Sequence, residues 1–253
     1  MKGRNGMGSI VVSKLTEHVW LMDDQNSSGY VVVGDAKALV IDTMNGSEDV
    51  YAVARSITDL PLILVNTHVH PDHIGGNHFF SEGYMHPADM PFVDMFTKPD
   101  KLDKKPVLYP VGEGDVFDLG GLHVEVYELP GHTPGELCLL LVEERILFPG
   151  DSINHHLWMQ LDGCSPLAKY LKELERLDFL KERADYILHG HTKVQEDISL
   201  FDMVERGIRE IVNQTGSDVT NQDEDYEWFG GIAKKHVYAP DGSAICYQAT
   251  NIY

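Results

Sequence analysis

A run of metal-ligand side chains at residues 67–73, with the sequence THVHPDH, constrains this chain more than any other feature. Three imidazoles and one carboxylate, those of His68, His70, Asp72 and His73, occupy six consecutive positions. These residue types bind borderline-soft divalent metals. Because one tetrahedral ion does not need four ligands from a single segment, the run indicates one metal ion or two adjacent ones.

The position of this run along the chain favours a site at the edge of a sheet. It follows a continuous apolar segment, residues 61–65, which is typical of a strand buried on both faces. Functional side chains commonly lie at strand ends and on loops above a rigid sheet. His68 and His70 alternate along a segment predicted to be extended, so both side chains can point to one side.

Three further candidate ligands, His132, Asp151 and His191, each follow a short apolar segment and a glycine. A glycine lets the backbone turn sharply and bring the next side chain over the sheet edge. A single histidine or aspartate in such a place is usually an ordinary polar or turn residue. Their joint occurrence behind the first run favours a metal site instead.

The rest of the chain predicts an α/β architecture in one domain, residues 1–253. Helical spacing of apolar residues predicts helices at residues 47–57, 165–180 and 194–213. Ser165, which is followed by a proline, is predicted to cap the second of these helices. Short β-branched or apolar runs predict strands at residues 10–13, 19–22, 30–33, 38–41, 61–65, 122–129, 137–142, 145–148, 184–188 and 244–252.

Two segments interrupt this pattern. Residues 85–110 carry five prolines and four lysines, and residues 222–228 are acidic and aromatic. Both are predicted to be surface loops, with a substrate lid as the alternative, because a long irregular loop near a site can close over it. The C-terminal part, residues 222–253, is expected to end as a strand segment.

The composition of the chain limits the classes of partner that we expect it to bind. The net charge of −20 repels nucleic-acid phosphates and anionic membranes, and no apolar stretch of about 18 residues is present. Three isolated cysteines and a polar start predict a cytoplasmic protein with reduced thiols. Cys164 lies near the ligand motifs, so a site role is the alternative to simple burial. We expect a small-molecule substrate, no nucleic-acid partner and no membrane partner; a homodimer is left open.

The ordered pattern H-x-H-x-D-H, then His132, Asp151 and His191, resembles that of the metallo-β-lactamase-fold hydrolase superfamily, in its glyoxalase II and lactonase-like branch. The resemblance spans about residues 9–192. It implies a four-layer αβ/βα sandwich, in which two packed mixed β-sheets are flanked by helices and a dinuclear site lies at one edge. It assigns His68, His70 and His132 to a first metal, Asp72, His73 and His191 to a second, and Asp151 to both.

The resemblance also implies a chemistry. Two divalent metal ions, with Zn2+ expected before Fe or Mn, hold a bridging hydroxide that attacks an ester, thioester or lactone carbonyl. Asp72 orients this hydroxide and relays a proton. The expected activity is a metal-dependent hydrolase of EC type 3.1 or 3.5. Two alternatives stay open: a phosphodiester or phosphonate hydrolase at the same ions, and a non-hydrolytic redox or binding metalloprotein.

The residues at several positions narrow the choice among the branches of this superfamily. The bridging Asp151 disfavours a true β-lactamase, and Val69 replaces the glutamate of the di-iron oxygen reductases. Asn154 stands where homoserine-lactone lactonases usually carry a tyrosine, and the acidic tail lacks the basic helical domain of glyoxalase II. A wall of the substrate pocket is predicted at Asn154, His155, His156 and Trp158. Residues predicted to support the ligands from behind are Asp42, Thr133 and His189.

Overall fold

The computed structural model of the chain describes residues 9–213, 223–228 and 230–253. Within these ranges it contains 17 strands in three sheets and five α-helices. Gln222, the first residue of the predicted acidic and aromatic loop, lies outside the described residues.

The first sheet has seven strands, which lie side by side in the order of the sequence. The first four strands form an antiparallel meander, and the last three continue the sheet in parallel. Buried apolar runs form its central strands, as the sequence predicts. The strands are β1 (Val11–Lys14), β2 (Val19–Asp23), β3 (Ser28–Val33), β4 (Ala38–Ile41), β5 (Leu62–Val65), β6 (Glu82–Met85) and β7 (Val107–Pro110).

Three helices accompany this sheet. Helix α1 (Val50–Ile57) begins at Asp49, whose side chain accepts a hydrogen bond from the backbone of Ala52 at 2.9 Å. Helix α2 (Pro71–Ile74) is a single turn directly after β5, and it carries half of the first ligand run. Helix α3 (Val93–Phe96) is also one turn long.

The second sheet has six strands and is antiparallel except for one parallel pair. The strands predicted at residues 137–142 and 145–148 are confirmed, and they pair in antiparallel register as a hairpin. The strands are β8 (Val116–Asp118), β9 (His123–Glu128), β10 (Leu137–Leu141), β11 (Ile146–Phe148), β13 (Tyr186–Ile187) and β14 (Glu196–Asp197).

A third sheet of four strands was not predicted as a separate sheet. Its strands lie in the order β12, β17, β16 and β15. They are β12 (His156–Met159), β15 (Glu224–Trp228), β16 (Gly231–Val237) and β17 (Ala244–Tyr247). The acidic and aromatic segment is therefore mainly an edge strand, and its prediction as a loop was wrong because its exposed residues still pair with β16.

The elements stack in the predicted αβ/βα order. Apolar side chains of the first and second sheets meet in one core cluster. The outer face of the first sheet packs on α1, and the outer face of the second packs on α4 (Leu167–Arg176) and α5 (Ser199–Asn213). Residues of the third sheet join the cluster around α4 and α5. No helix in the described ranges is long and apolar enough to cross a membrane.

Several predicted boundaries differ. The N-cap of α4 is Pro166, with no side-chain cap, so the predicted cap at Ser165 was wrong. Ser165 lies one residue before the cap, and its backbone donates to the carbonyl of Gly131 at 2.8 Å. Helix α5 begins later than predicted because residues 196–197 pair with β13. Residues 85–110 do not form one irregular loop, since they include the end of β6, helix α3 and strand β7.

Candidate metal centre

The structure brings all seven predicted ligands to one end of the sandwich. They come from four loops, which follow β5, β9, β11 and β13. We call this set the metal centre; it consists of His68, His70, Asp72, His73, His132, Asp151 and His191.

The first group of the metal centre contains His68, His70 and His132, whose ligand atoms lie within 4.8 Å of one another. The Nδ1 atom of His70 and the Nε2 atom of His132 are 2.9 Å apart. The other nitrogen of His132, Nδ1, donates to the carbonyl of Trp158 at 2.7 Å. This bond leaves the lone pair of His132 Nε2 directed into the group.

The second group contains Asp72, His73 and His191, again with ligand atoms within 4.8 Å. Asp151 lies between the two groups. Its Oδ2 atom is 2.9 Å from His191 Nε2 and 3.8 Å from His132 Nε2, and its Oδ1 atom is 3.5 Å from His73 Nε2. Asp151 is thus the one carboxylate in the metal centre that contacts both groups.

Three buried atoms of the metal centre have no hydrogen-bond partner: His68 Nε2, His73 Nε2 and Asp151 Oδ1. A buried polar atom without a partner costs about 1–3 kcal/mol, so several at one point indicate a missing ligand. Burial lowers the pKa of His68 well below its usual value and that of His70 to about 2. The charge of Asp151 raises the pKa of His191 to about 9 and, against the effect of burial, raises that of His73 well above its usual value. Imidazoles around a carboxylate fit one or two divalent cations, which displace such protons.

Asp42 supports two of the histidines from behind. Its carboxylate accepts hydrogen bonds from the backbone and hydroxyl of Thr67, at 2.8 and 2.7 Å, and from Nδ1 of His73 at 2.9 Å. Because the Thr67 hydroxyl donates to Asp42, it accepts from Nδ1 of His68, 3.1 Å away. Both rings therefore turn their Nε2 atoms into the metal centre. Asp42 has a φ of 61°, which a short polar residue tolerates.

Glu136, which the sequence reading missed, lies beneath Asp151. It is fully buried, and its Oε1 atom accepts a hydrogen bond from the backbone of Asp151 at 2.7 Å. Burial, together with the charge of Asp151, raises the pKa of Glu136 well above its usual range. Gly150 has a φ of 57°, and a Cβ at this position would lie 2.6 Å from Glu136 Oε1. The sequence signal that could have identified Glu136 is a glutamate directly before an otherwise apolar strand.

Asp89 was also missed, and it ties two ligand loops together. This fully buried carboxylate accepts hydrogen bonds from the Thr133 hydroxyl and the Gly135 backbone, both at 2.7 Å, and from the Val69 backbone at 3.1 Å. Burial raises the pKa of Asp89. Asp89 belongs to the segment predicted as a loop or lid, but here it is a fixed support of the metal centre.

The residues predicted to form a pocket wall differ in their burial and contacts. The side chain of Asn154 is buried and holds its own loop, because it donates to the carbonyl of Asp151 and accepts from the backbone of His156, both at 2.7 Å. Its role in a pocket wall stays a prediction. His156 is exposed, and half-buried Trp158 lies 6.4 Å from the ring of Tyr226.

Cys164 lies behind the metal centre. Its Sγ atom is 3.2 Å from the carbonyl oxygen of His132. Burial raises the pKa of this thiol to about 12. The side chain is thus a protonated donor to the loop that carries His132, and it does not face the ligand atoms.

A second cluster, which we call the rim cluster, consists of His155, His189 and Glu196, with potential ligand atoms also within 4.8 Å. Nε2 of His155 is 3.5 Å from Oε2 of Glu196. The Nδ1 atom of His189 accepts a hydrogen bond from the backbone of His191 at 3.2 Å, and its buried Nε2 atom has no partner. Burial lowers the pKa of His189 to about 3.

Comparisons with known proteins agree with this geometry. The sequence profile of the Metallo-beta-lactamase superfamily matches residues 22–191. An atrochrysone carboxyl ACP thioesterase of Aspergillus aculeatus is 29% identical over 172 residues, which are 66% of this chain and 51% of that protein. The chain thus spans about half the length of this fungal relative.

The alignment covers a larger share of two other relatives. The acyl-coenzyme A thioesterase MBLAC2 of Gallus gallus is 28% identical over 211 residues, which cover 68% of this chain and 76% of that protein. The hydroxyacylglutathione hydrolase of Pelagibacter ubique is 29% identical over 177 residues, covering 67% and 69%. Among solved structures, a metallo-beta-lactamase from Pontibacter korlensis has a TM-score of 0.66 at 20% identity, covering 79% of this chain and 99% of that one. At this identity the likeness supports the fold alone.

Proposed function

The chain belongs to the metallo-beta-lactamase superfamily, and we propose that it is a metal-dependent hydrolase of thioesters. The relatives named above as thioesterases and as a hydroxyacylglutathione hydrolase support a thioester-type substrate. The observation that carries the proposal is the convergence of unpartnered His68 Nε2, His73 Nε2 and Asp151 Oδ1 in one buried centre. These atoms can hold cations, because none of them forms a hydrogen bond within the described chain, although His73 Nε2 and Asp151 Oδ1 lie 3.5 Å apart.

The proposed metal assignment follows the two groups. His68, His70 and His132 would hold one divalent cation, and Asp72, His73 and His191 a second, with Asp151 between them. Imidazole and carboxylate ligands suit zinc first, with iron or manganese as the other candidates. When bound, such a pair of cations lowers the pKa of water towards neutrality and polarises a carbonyl oxygen.

Asp72 is the side chain that we assign to proton transfer. It is half-buried, its Oδ2 atom lies 3.6 Å from His191 Nε2, and it accepts no hydrogen bond from any described residue. In contrast, the carboxylates of Asp42 and Asp89 are occupied by several donors each. Asp72 can therefore hold the proton of an attacking water and return it to the departing thiolate.

The acyl group of the substrate is assigned to the side of β12. Trp158 and Tyr226 form an aromatic pair from β12 and β15, in the third sheet. An aromatic surface beside the His132 loop suits an apolar acyl chain. Trp158→Ala is expected to raise KM for long acyl chains more than for acetyl; equal effects on both would remove this assignment.

The proposal is tested with the full chain, purified without added metal. Elemental analysis gives the metal identity and stoichiometry, and release of free thiol from a panel of acyl thioesters gives the activity. Removal of metal by a chelator should abolish turnover and lower the melting temperature, because the histidines and carboxylates lose their common partner. Readdition of zinc, manganese or iron should restore both.

Two outcomes would contradict the proposed function. One is a metal-loaded protein that releases no thiol from any thioester of the panel. The other is faster turnover of bis-p-nitrophenyl phosphate than of every thioester and ester, which would identify a phosphodiesterase instead.

A further inference from the structure

A group of lysines stands out against the acidic charge of this chain. Residues 98–105, which we call the lysine segment, hold four of the 20 basic residues but only two of the 40 acidic ones, whereas the whole chain has a net charge of −20. The four are Lys98, Lys101, Lys104 and Lys105. A local excess of cations on an acidic protein marks the place where an anion is attracted rather than repelled.

The lysine segment begins beside the metal centre. Phe96, the last residue of α3, packs its ring edge-on against His70, with ring centroids 5.4 Å apart. The first lysine, Lys98, follows two positions later, and its ammonium donates to the backbone carbonyl of Asn45 at 3.0 Å. The lysine segment therefore begins two residues after a side chain that packs against a candidate metal ligand.

Part of this positive charge has no acidic partner. Lys101 and Lys105 form ion pairs with Asp100 and Asp94. The ammonium of Lys98 bonds only a neutral carbonyl, and Lys104 is exposed and has no ion pair among the described residues. These two cations keep their full charge for a ligand.

Two of the four lysines, Lys98 and Lys105, line one small cavity together with Thr97 and His78. The Thr97 hydroxyl donates to the carbonyl of Val93, so the ammonium groups are the cationic part of this lining. Burial lowers the pKa of His78, and the nearby charges of Lys98, Lys101 and Lys104 lower it further. The lysine segment thus places positive charge at this cavity.

We propose that the lysine segment binds the phosphate groups of a coenzyme A-type thiol carrier whose thioester lies at the metal centre. This inference rests on the proposed thioesterase function and names its substrate class. The acidic surface elsewhere disfavours a carrier with several negative charges, so binding requires a local cationic region near the reacting bond. Phosphate contacts with lysine are point-charge contacts, which tolerate the modest order of exposed side chains.

The test compares two thioesters of the same acyl group, butyryl-coenzyme A and butyryl-N-acetylcysteamine, the second of which lacks phosphate. The variant Lys98→Glu/Lys104→Glu reverses the two unpaired charges and changes no residue of the metal centre. We expect KM for butyryl-coenzyme A to rise about tenfold, with kcat within about twofold, because only long-range attraction and phosphate binding are lost. Both constants for butyryl-N-acetylcysteamine should stay unchanged.

The matched control is Lys14→Glu/Lys172→Glu, which makes the same change in net charge on β1 and α4. It should leave KM for both thioesters as in the unaltered protein. Equal increases in KM for the two double variants, or no increase for either, would overturn the proposal. A preference for a glutathione thioester over butyryl-coenzyme A would overturn the phosphate assignment as well.

Direct binding separates this inference from the proposed function. Isothermal titration calorimetry with free coenzyme A should show binding that weakens about tenfold in the Lys98→Glu/Lys104→Glu variant and falls with added salt. If the unaltered protein hydrolyses neither thioester yet binds coenzyme A in this lysine-dependent way, the proposed function fails and the binding site stands. If it hydrolyses both thioesters with no dependence on the lysines, the reverse holds.

Discussion

Two histidine clusters lie side by side at the same end of the sandwich, and they differ in a way that residue types do not show. The metal centre and the rim cluster share loops, since Asp151 and His155 are four residues apart and His189 and His191 two. Both bring potential ligand atoms within 4.8 Å of one another. By composition and proximity alone, each would qualify as a metal site.

The difference lies in the hydrogen bond behind one ring of the rim cluster, that of His189. In the metal centre, Nδ1 of His73, His132 and His191 each faces an oxygen acceptor, at 2.9, 2.7 and 2.8 Å. The ring proton therefore sits on Nδ1, and the lone pair of Nε2 points inward. In the rim cluster, Nδ1 of His189 accepts a backbone N–H, which places the proton on Nε2. A protonated Nε2 cannot bind a cation. The comparison therefore shows that the hydrogen bond at the other ring nitrogen decides whether a histidine can be a metal ligand.

The largest expected effect tests the metal centre itself. Asp151→Asn should lower kcat/KM for a thioester by about 10³-fold or more, roughly 4 kcal/mol of transition-state stabilisation, because Asp151 contacts both groups. The metal stoichiometry should also fall. Steady-state kinetics and elemental analysis check this, with circular dichroism showing an intact fold. Unchanged stoichiometry together with full activity would remove Asp151 from the metal centre.

A smaller effect is expected from a change at Asp42, which orients two of the histidine rings from behind. Asp42→Asn keeps a residue that tolerates the left-handed backbone but removes the charge that orients His73 and, through Thr67, His68. We expect metal affinity to drop about 10–100-fold. Competition with a chromophoric chelator measures this. If affinity were unaffected, the orientation of the rings would not depend on Asp42, and the distinction between the clusters would lose its basis.

The smallest effect is expected in the rim cluster. The double variant His155→Ala/His189→Asn removes one potential ligand and replaces the other with an amide oxygen that can still accept from the backbone of His191. Metal stoichiometry should not change, and kcat/KM should stay within about threefold, since neither ring is assigned a ligand role. Loss of one metal equivalent would show that the rim cluster binds a cation and would break the comparison.

Much of the architecture could be predicted because it follows from local pattern. The apolar run before the ligands is a buried strand, and the run at residues 38–41 is β4 with the predicted bounds. Of the glycines before the ligands, only Gly150 has the left-handed backbone of the expected sharp turn, with a φ of 57°. Gly190 is required by close packing instead, since a Cβ there would lie 2.4 Å from Asp151 Oδ1. Close approach of backbone to side chain is a local demand that sequence reveals.

What escaped prediction depends on contacts between distant segments. The third sheet pairs His156 of β12 with Ala244 of β17, far along the chain, and no local pattern records such a pairing. Asp89 was hidden in a segment predicted as a loop, and its three donors come from two other loops. Asn154 was predicted to line a pocket because it follows a ligand, but its side chain closes its own turn.

The sequence by itself determined the order of the seven candidate ligands and the α/β class, because both follow from local runs of residue types and hydrophobic pattern. The αβ/βα sandwich was implied by the resemblance that the ligand motifs carry. Tertiary structure alone decided which histidine nitrogens are free, and which carboxylates support them. The physical reason is that a ring proton is placed by its acceptor. The acceptors here, Asp42, the carbonyl of Trp158 and the carbonyl of Asn26, come from segments far from the rings they orient.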